Sequence, residues 1–249
     1  MTIAGFDPSG GAGIQQDLKV FHALGLHGLS AVSALTAQNS RGVSGIMPVT
    51  GSFLKKQIDV LLSDMRPGAT KIGMLYTRAN VAAVAGMIKK YSLENVVIDP
   101  VMISSSGKDL AEEGVLAALV RSLLPLCTVV TPNIHEASAL SGIDIKSPED
   151  VEAAAKRLAK LGAGSVIITG GHLQRSANDL VYDGRFHYLK GRKLKGEYHG
   201  TGCAFSAAVA AFLEKGEDVL GAARLAKKFM TRAFDKAFSP GAGMKFLDI

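Results

Sequence analysis

Val96-Val97-Ile98-Asp99-Pro100 and Thr128-Val129-Val130-Thr131-Pro132 are the two stretches on which the fold turns. Each is a short apolar run without polar alternation, so both of its faces are buried. Each ends in a polar residue followed by proline, which has no N–H to give a sheet ladder and stops the strand. Between them, residues 112–124 carry helical spacing. After them come a helix over 147–161 and a third run, Ser165-Val166-Ile167-Ile168-Thr169. Ser147 is placed as that helix's N-cap, with Pro148 at its first position. Strands alternating with helices in this way specify an α/β fold: a mostly parallel sheet sandwiched between two helical layers.

The alternation extends to both ends. Before it lie a short strand over 2–4, a helix over 13–24 with Ile14, Leu18 and Phe21 on one face, and extended runs over 29–35 and 43–49. A helix over 52–62, a strand over 70–74 and a helix over 81–91 come next. Beyond the third run come a hairpin of 179–182 and 186–189, joined by Asp183-Gly184-Arg185, and helices over 201–213 and 218–237. No linker divides the chain, so 1–249 reads as a single domain.

The 249 residues are 47% hydrophobic and 20% charged, with two Cys and no Trp. That suits a globular chain long enough to bury a full core. Two cysteines cannot build a disulfide framework, which points to a reducing, cytoplasmic setting. No Cys/His cluster suits structural zinc. No apolar run reaches the roughly 20 residues of a membrane span, and residues 1–5 lack the design of a signal peptide. The net charge is +6, with a local source in Lys190, Arg192, Lys193 and Lys195. No aromatics interleave with these charges, so they read as a solvated loop, not a nucleic-acid surface. A positive rim also suits an anionic small molecule.

In open parallel sheets, ligands gather beyond the carboxyl ends of the strands. The residues there include Gly5-Phe6-Asp7, Thr36 to Asn39, Gly73-Met74, Asp99 to Met102, Thr131-Pro132-Asn133 and Gly170-Gly171-His172. His199-Gly200-Thr201-Gly202-Cys203 leads straight into an Ala-rich helix. The unpaired N–H groups of a helix start can hold a phosphate, although the same glycines also suit a plain turn. It is not a Walker A loop, since no Gly-Lys-Ser/Thr is present after it. Cys203 falls in the first turn, where the helix dipole is expected to stabilise a thiolate. Cys127 opens a buried strand and reads as inert core. Asp7-Pro8-Ser9-Gly10-Gly11-Ala12-Gly13 is either an anion cradle or a flap, and its spacing is not that of a dinucleotide fingerprint. Asn133 and Glu136 share a helix face. With Asp99 they form either a seat for a hydrated Mg²⁺ or a helix cap beside a satisfied carboxylate.

Taken together, these pieces resemble the ribokinase-like superfamily, and within it the hydroxymethylpyrimidine/phosphomethylpyrimidine kinases of thiamine biosynthesis. The resemblance is carried, in order, by residues 2–19, Ala34-Leu-Thr-Ala-Gln-Asn39, Lys71-Ile-Gly-Met-Leu75, Val97-Ile-Asp-Pro-Val-Met102, Thr131-Pro-Asn-Ile-His-Glu-Ala137, Gly170-Gly-His172 and His199 to Cys203. It implies an anion hole at Gly200, Thr201 and Gly202, with Cys203 as the base where most of the superfamily has Asp. It implies Gln38 on the aminopyrimidine edge, and Gly5, Asp7, Met74 and Val101 around the ring. It implies Thr169, Gly171 and His172 at the nucleotide, and Asp99, Asn133 and Glu136 at Mg²⁺. ATP and Mg²⁺, with a monovalent cation as a further candidate, and a homodimer without nucleic acid or membrane are the implied partners.

There are two departures from the family pattern. Thr169 stands where the family often has a nucleotide-binding Lys. The first strand begins almost at Met1. Three rival readings of the residues stay open. They are pyridoxal kinase, whose branch tends to be apolar at the position of Gln38, a cysteine hydrolase, which needs a partner orienting Cys203, and a non-catalytic pyrimidine sensor.

Overall fold

The structure is a computed structural model and describes residues 1–104, 107–170, 178–191 and 196–249. The chain runs through β1 (Thr2–Phe6), α1 (Gly13–Ala23), β2 (Ser30–Asn39), β3 (Gly42–Pro48), α2 (Gly51–Leu62), β4 (Thr70–Ile72), α3 (Arg78–Tyr91) and β5 (Val96–Ile98). It continues with α4 (Val115–Ser122), β6 (Val129–Val130), α5 (Ile134–Ser141), α6 (Pro148–Lys160), β7 (Ser165–Ile168), β8 (Asp179–Tyr182) and β9 (Phe186–Leu189). The last elements are β10 (Tyr198–His199), α7 (Thr201–Glu214), α8 (Val219–Asp235) and β11 (Lys245–Phe246).

Among the described residues, nine strands form one sheet in the order β3-β2-β1-β4-β5-β6-β7-β8-β9. β2, β1, β4, β5, β6 and β7 are parallel, and β3, β8 and β9 add antiparallel edges. The apolar runs divide their side chains between two cores, as the period of a strand requires. Val96, Ile98, Val130, Val166 and Ile168 face the α2–α6 layer. Val97, Val129 and Ile167 face α1, α7 and α8. The three-layer α/β expectation holds. Ser147 and Asp150 close the expected cap of α6 as a reciprocal capping box, with Pro148 in the first turn.

Three differences from the sequence reading stand out. β2 runs on to Asn39, so Gln38 lies within a strand and not after one. The far half of β2 pairs only with β3, in a hairpin whose register shifts at Ala37/Gln38. With one face open to solvent, it loses the continuous apolar signature of a buried strand. The helix expected over 112–124 starts at Val115, after Gly114 takes a left-handed φ of 82°. Third, Tyr198–His199 pairs with Lys245–Phe246 in a small parallel sheet. That pairing joins segments far apart in the chain, and no local pattern announces it.

Candidate active site

A cleft of roughly 1160 Å³ opens at the carboxyl ends of the strands. Crossing the sheet in strand order, it meets Gln38 on β2, Gly5 and Asp7 at β1, Met74 after β4, Asp99 and Val101 after β5, Asn133 and Glu136 after β6, and Thr169 after β7. Gly200, Thr201, Gly202 and Cys203 line the same cleft. Every described residue that the sequence nominates therefore meets in one place. Gly171 and His172 lie outside the described residues, as does most of the basic run around Lys193.

Two helix starts converge there. α1 opens at Gly13 and α7 at Thr201, and each presents N–H groups without a helical acceptor. The two bends touch closely. Gly200 has a φ of 71°, and a Cβ there would fall 1.8 Å from the carbonyl oxygen of Gly11. The Gly13 amide donates to Cys203. Asp7 organises the first bend from a buried position. Its Oδ1 accepts from the Ser9 amide at 2.9 Å and the Ser9 hydroxyl at 2.7 Å, and its Oδ2 accepts from the Ala12 amide at 2.9 Å. Burial alone raises this carboxyl, but hydrogen bonds from His199 and Ser9 outweigh it and hold it below the ordinary value of 3.8.

Nε2 of His199 lies 2.8 Å from Asp7 Oδ2 and 2.8 Å from Nε2 of Gln38. Oε1 of Gln38 lies 3.1 Å from the Thr36 hydroxyl. Among the described residues, Nδ1 of His199 is buried without a partner. His199 therefore serves the Asp7–Gln38 group and not Cys203. On the other wall, Gly5 lies against Met74, whose Cε would be 2.4 Å from a Cβ at Gly5.

The surroundings of Cys203 oppose the expected thiolate. Burial comes first and raises the thiol. Lys71 opposes it, the charges of Asp99 and Asp17 add to it, and the balance pushes Cys203 up to about 12. The sequence shows the favourable helix start but not the two carboxylates that strand and helix packing bring near it. Cys127 is inert as expected: burial drives it up to about 12, and its thiol lies 3.1 Å from the Leu124 carbonyl.

Lys71 and Asp17 are the residues that sequence reading missed. Both are fully buried. Lys71 Nζ lies 2.9 and 3.1 Å from the two oxygens of Asp17 and 3.7 Å from Asp99 Oδ2. Burial alone lowers the Lys71 ammonium, but Asp17 first, and Asp99 with it, hold it well above its ordinary value. Thr2 Oγ1 donates to Asp17 at 2.6 Å, and Ser206 Oγ lies 3.1 Å from Asp99 Oδ2. A signal was present: Asp17 shares the face of α1 that carries Ile14 and Phe21, and Lys71 interrupts an apolar strand.

Asn133 and Glu136 form the reciprocal cap of α5. Asn133 Oδ1 accepts the Glu136 amide at 3.0 Å, and Glu136 Oε2 accepts the Asn133 amide at 2.9 Å. Burial, then the charge of Asp99, pushes Glu136 up to about 8. A carboxyl whose ionisation is opposed by a neighbouring carboxylate in a cleft fits a hard cation. Magnesium characteristically takes one or two carboxylates, waters and substrate phosphates. Asp99 and Glu136 are the fitting pair, and the Asn133 amide is committed to the cap. Among the described residues, no three His, Cys, Asp or Glu side chains gather as a full metal cage. No helix among them is long and apolar enough to cross a membrane.

A family model for phosphomethylpyrimidine kinase matches residues 7–248. The hydroxymethylpyrimidine/phosphomethylpyrimidine kinase of Bacillus subtilis is 40% identical over 247 residues, covering 98% of this chain and 91% of that one. The thiamine biosynthesis bifunctional protein of Geobacter sulfurreducens is 42% identical over 98% of this chain, which spans 50% of that longer protein. Among solved structures, a Bacillus subtilis pyridoxal kinase in an ADP complex superposes with a TM-score of 0.92 at 38% identity, covering 99% of this chain and 95% of that one. The phosphomethylpyrimidine kinase of Clostridium difficile does so with 0.85 at 37% identity, covering 94% and 97%. The chain belongs to the phosphomethylpyrimidine kinase family, on the ribokinase-like fold.

Proposed function

We propose that this chain, acting as one domain, transfers the γ-phosphoryl of ATP to the primary alcohol of 4-amino-5-hydroxymethyl-2-methylpyrimidine, and then to the resulting monophosphate, in thiamine biosynthesis. The observation that carries this reading is one cleft joining a polar amide, Gln38, to the 200–203 bend and to the Asp99–Glu136 pair. Gly5, Asp7, Met74 and Val101 enclose the pyrimidine ring, and Gln38 offers its edge both a donor and an acceptor.

The alcohol oxygen bonds to the γ-phosphorus as the bond to the β-phosphate oxygen breaks. Such transfers rest on positioning and charge stabilisation. The N–H groups of 201–203 face the transferring oxygens. Cys203, once its own proton has passed to solvent, takes the hydroxyl proton as thiolate. Lys71 and the helix start are the groups on this chain that favour that form. Thr169 gives the nucleotide a hydroxyl, and the family resemblance assigns Gly171 and His172 to the nucleotide as well. Asp99 and Glu136 would hold Mg²⁺, which supplies charge neutralisation on the phosphates when bound. We place the chain in the cytoplasm as a homodimer.

The second reading is pyridoxal kinase, favoured by the superposition on the Bacillus subtilis enzyme. The test is ADP release with hydroxymethylpyrimidine, its monophosphate and pyridoxal side by side. Turnover of both pyrimidines well ahead of pyridoxal is expected. Faster turnover of pyridoxal would select the second reading, and pyrimidine binding without ADP release would select a sensor.

A further inference from the structure

We propose that His199 is a positioning residue that determines specificity: its Nε2–H fixes which end of the Gln38 amide accepts and which donates, and so sets the donor–acceptor order of the heteroaromatic edge that the cleft takes. This deepens the kinase reading and rests on it for the identity of that edge.

The positions of the hydrogens are dictated by the partners. Asp7 already receives the Ser9 amide and hydroxyl on Oδ1 and the Ala12 amide on Oδ2, and His199 Nε2 lies 2.8 Å from Oδ2. Three N–H and O–H donors on two oxygens favour an ionised carboxylate with one lone-pair position left toward the ring, so the hydrogen between Asp7 and His199 sits on Nε2. Nδ1 of the same ring is buried with no partner among the described residues. As N–H it would be an orphaned buried donor, a rarer defect in folded proteins than an unfilled lone pair. Both nitrogens therefore select the Nε2–H tautomer.

Nε2 also lies 2.8 Å from the nearer amide atom of Gln38. An amide N–H₂ in that place would set two donors against each other. Amide orientation is assigned from its partners, and here they require the carbonyl to face His199. The N–H₂ then turns to the Thr36 hydroxyl at 3.1 Å, which in turn donates to the Phe6 carbonyl at 3.1 Å. One lone pair and one N–H of Gln38 remain for a ligand, in fixed order. The imidazole is itself held in place. A Cβ at Gly11 would fall 2.4 Å from its Cδ2, and the Phe246 ring packs at 5.3 Å between centroids.

Two measurements test this on the full chain. Nitrogen NMR of histidine-labelled protein reads the His199 tautomer without any substrate. Nε2–H is expected, and Nδ1–H overturns the proposal. Steady-state kinetics with hydroxymethylpyrimidine and ATP then compare His199→Leu, His199→Gln, Gln38→Leu and the Leu/Leu double variant. H199L is expected to raise KM for the pyrimidine about tenfold, the order of one lost hydrogen bond, with KM for ATP and kcat near wild type. H199Q, whose amide N–H replaces the missing donor, is expected to restore most of that loss. The double variant costs no more than Q38L alone, because His199 acts through Gln38. Additive losses, or equal damage in H199L and H199Q, overturn the proposal. Should H199L fail to fold, the tautomer and the H199Q kinetics decide. Were the wild-type chain to leave the pyrimidine unphosphorylated, the kinase reading would fall while the tautomer still decides the pinning of Gln38.

Discussion

Replacing Lys71 by methionine removes a buried charge while keeping most of the side chain's bulk. Lys71 Nζ sits 2.9 and 3.1 Å from the Asp17 oxygens and 3.7 Å from Asp99. Without it, Asp17 keeps its 2.6 Å hydrogen bond from Thr2 but has no counter-charge. Removing one partner of a buried pair costs about 3–5 kcal/mol. A methionine fills the space, so the cavity contribution is small. In a chain of this length that loss lowers Tm by roughly 6–20 °C. The deficit also has a predictable sign with pH. Burial pushes Asp17 above its ordinary 3.8, and Lys71 opposes that rise, so in the variant the carboxyl moves further up. A carboxyl raised in the folded state stabilises the fold below its unfolded pKa, and that contribution is lost as pH climbs through the folded value. Urea unfolding tracked by circular dichroism should therefore show a smaller deficit near pH 5 than near pH 8. Adding Asp17→Asn should recover much of the loss, because a neutral pair needs no compensation. A deficit below about 1 kcal/mol at the higher pH, or one equal at both, would refute the assignment of Lys71 as a structural counter-charge.

Cys203→Ala should slow phosphorylation of the alcohol by about a hundredfold or more, the usual weight of a general base, yet slow phosphorylation of the monophosphate far less. Equal losses in both steps would assign Cys203 to geometry instead. With its thiol raised to about 12, Cys203 in the free enzyme should react with iodoacetamide at a rate that climbs with pH through 10; a plateau near neutrality would contradict this. Because Glu136 stands up to about 8, binding of MgATP near pH 7 should release up to about one proton, measured by calorimetry in buffers of different ionisation enthalpy. Release undiminished in Glu136→Gln would assign the proton elsewhere. Gly200→Ala forces a Cβ to within 1.8 Å of the Gly11 oxygen, so it should destabilise far more than Gly216→Ala, where φ is also positive but the space is open. Comparable melting temperatures for the two variants would count against the packed bend.

The layers of the fold were legible because a buried parallel strand leaves a local mark. Val96-Val97-Ile98 and Val166-Ile167-Ile168 cannot tolerate a polar face, and Asp-Pro or Thr-Pro ends the strands at Ile98 and Val130. The location of the site was legible for the same reason: strand ends are visible in the sequence, and ligands of an open parallel sheet gather on the residues just beyond them. The polar connections between distant segments were not. Lys71 meets Asp17 across 54 positions, and His199 meets Asp7 across 192, with no local pattern linking either pair. Gln38 was recognised through family resemblance, but its place inside an edge hairpin was hidden by the half-exposed pattern of β2. At Cys203 the helix start could be read, and the burial and carboxylates that oppose a thiolate there could not.

The most direct measurement is a crystal structure of the chain with a non-hydrolysable ATP analogue and hydroxymethylpyrimidine bound together. The terminal phosphoryl oxygens should lie about 3 Å from the amides of Thr201, Gly202 and Cys203, with the pyrimidine edge on Gln38 and its alcohol oxygen turned toward the phosphorus. Either molecule bound away from that bend would contradict the assignment.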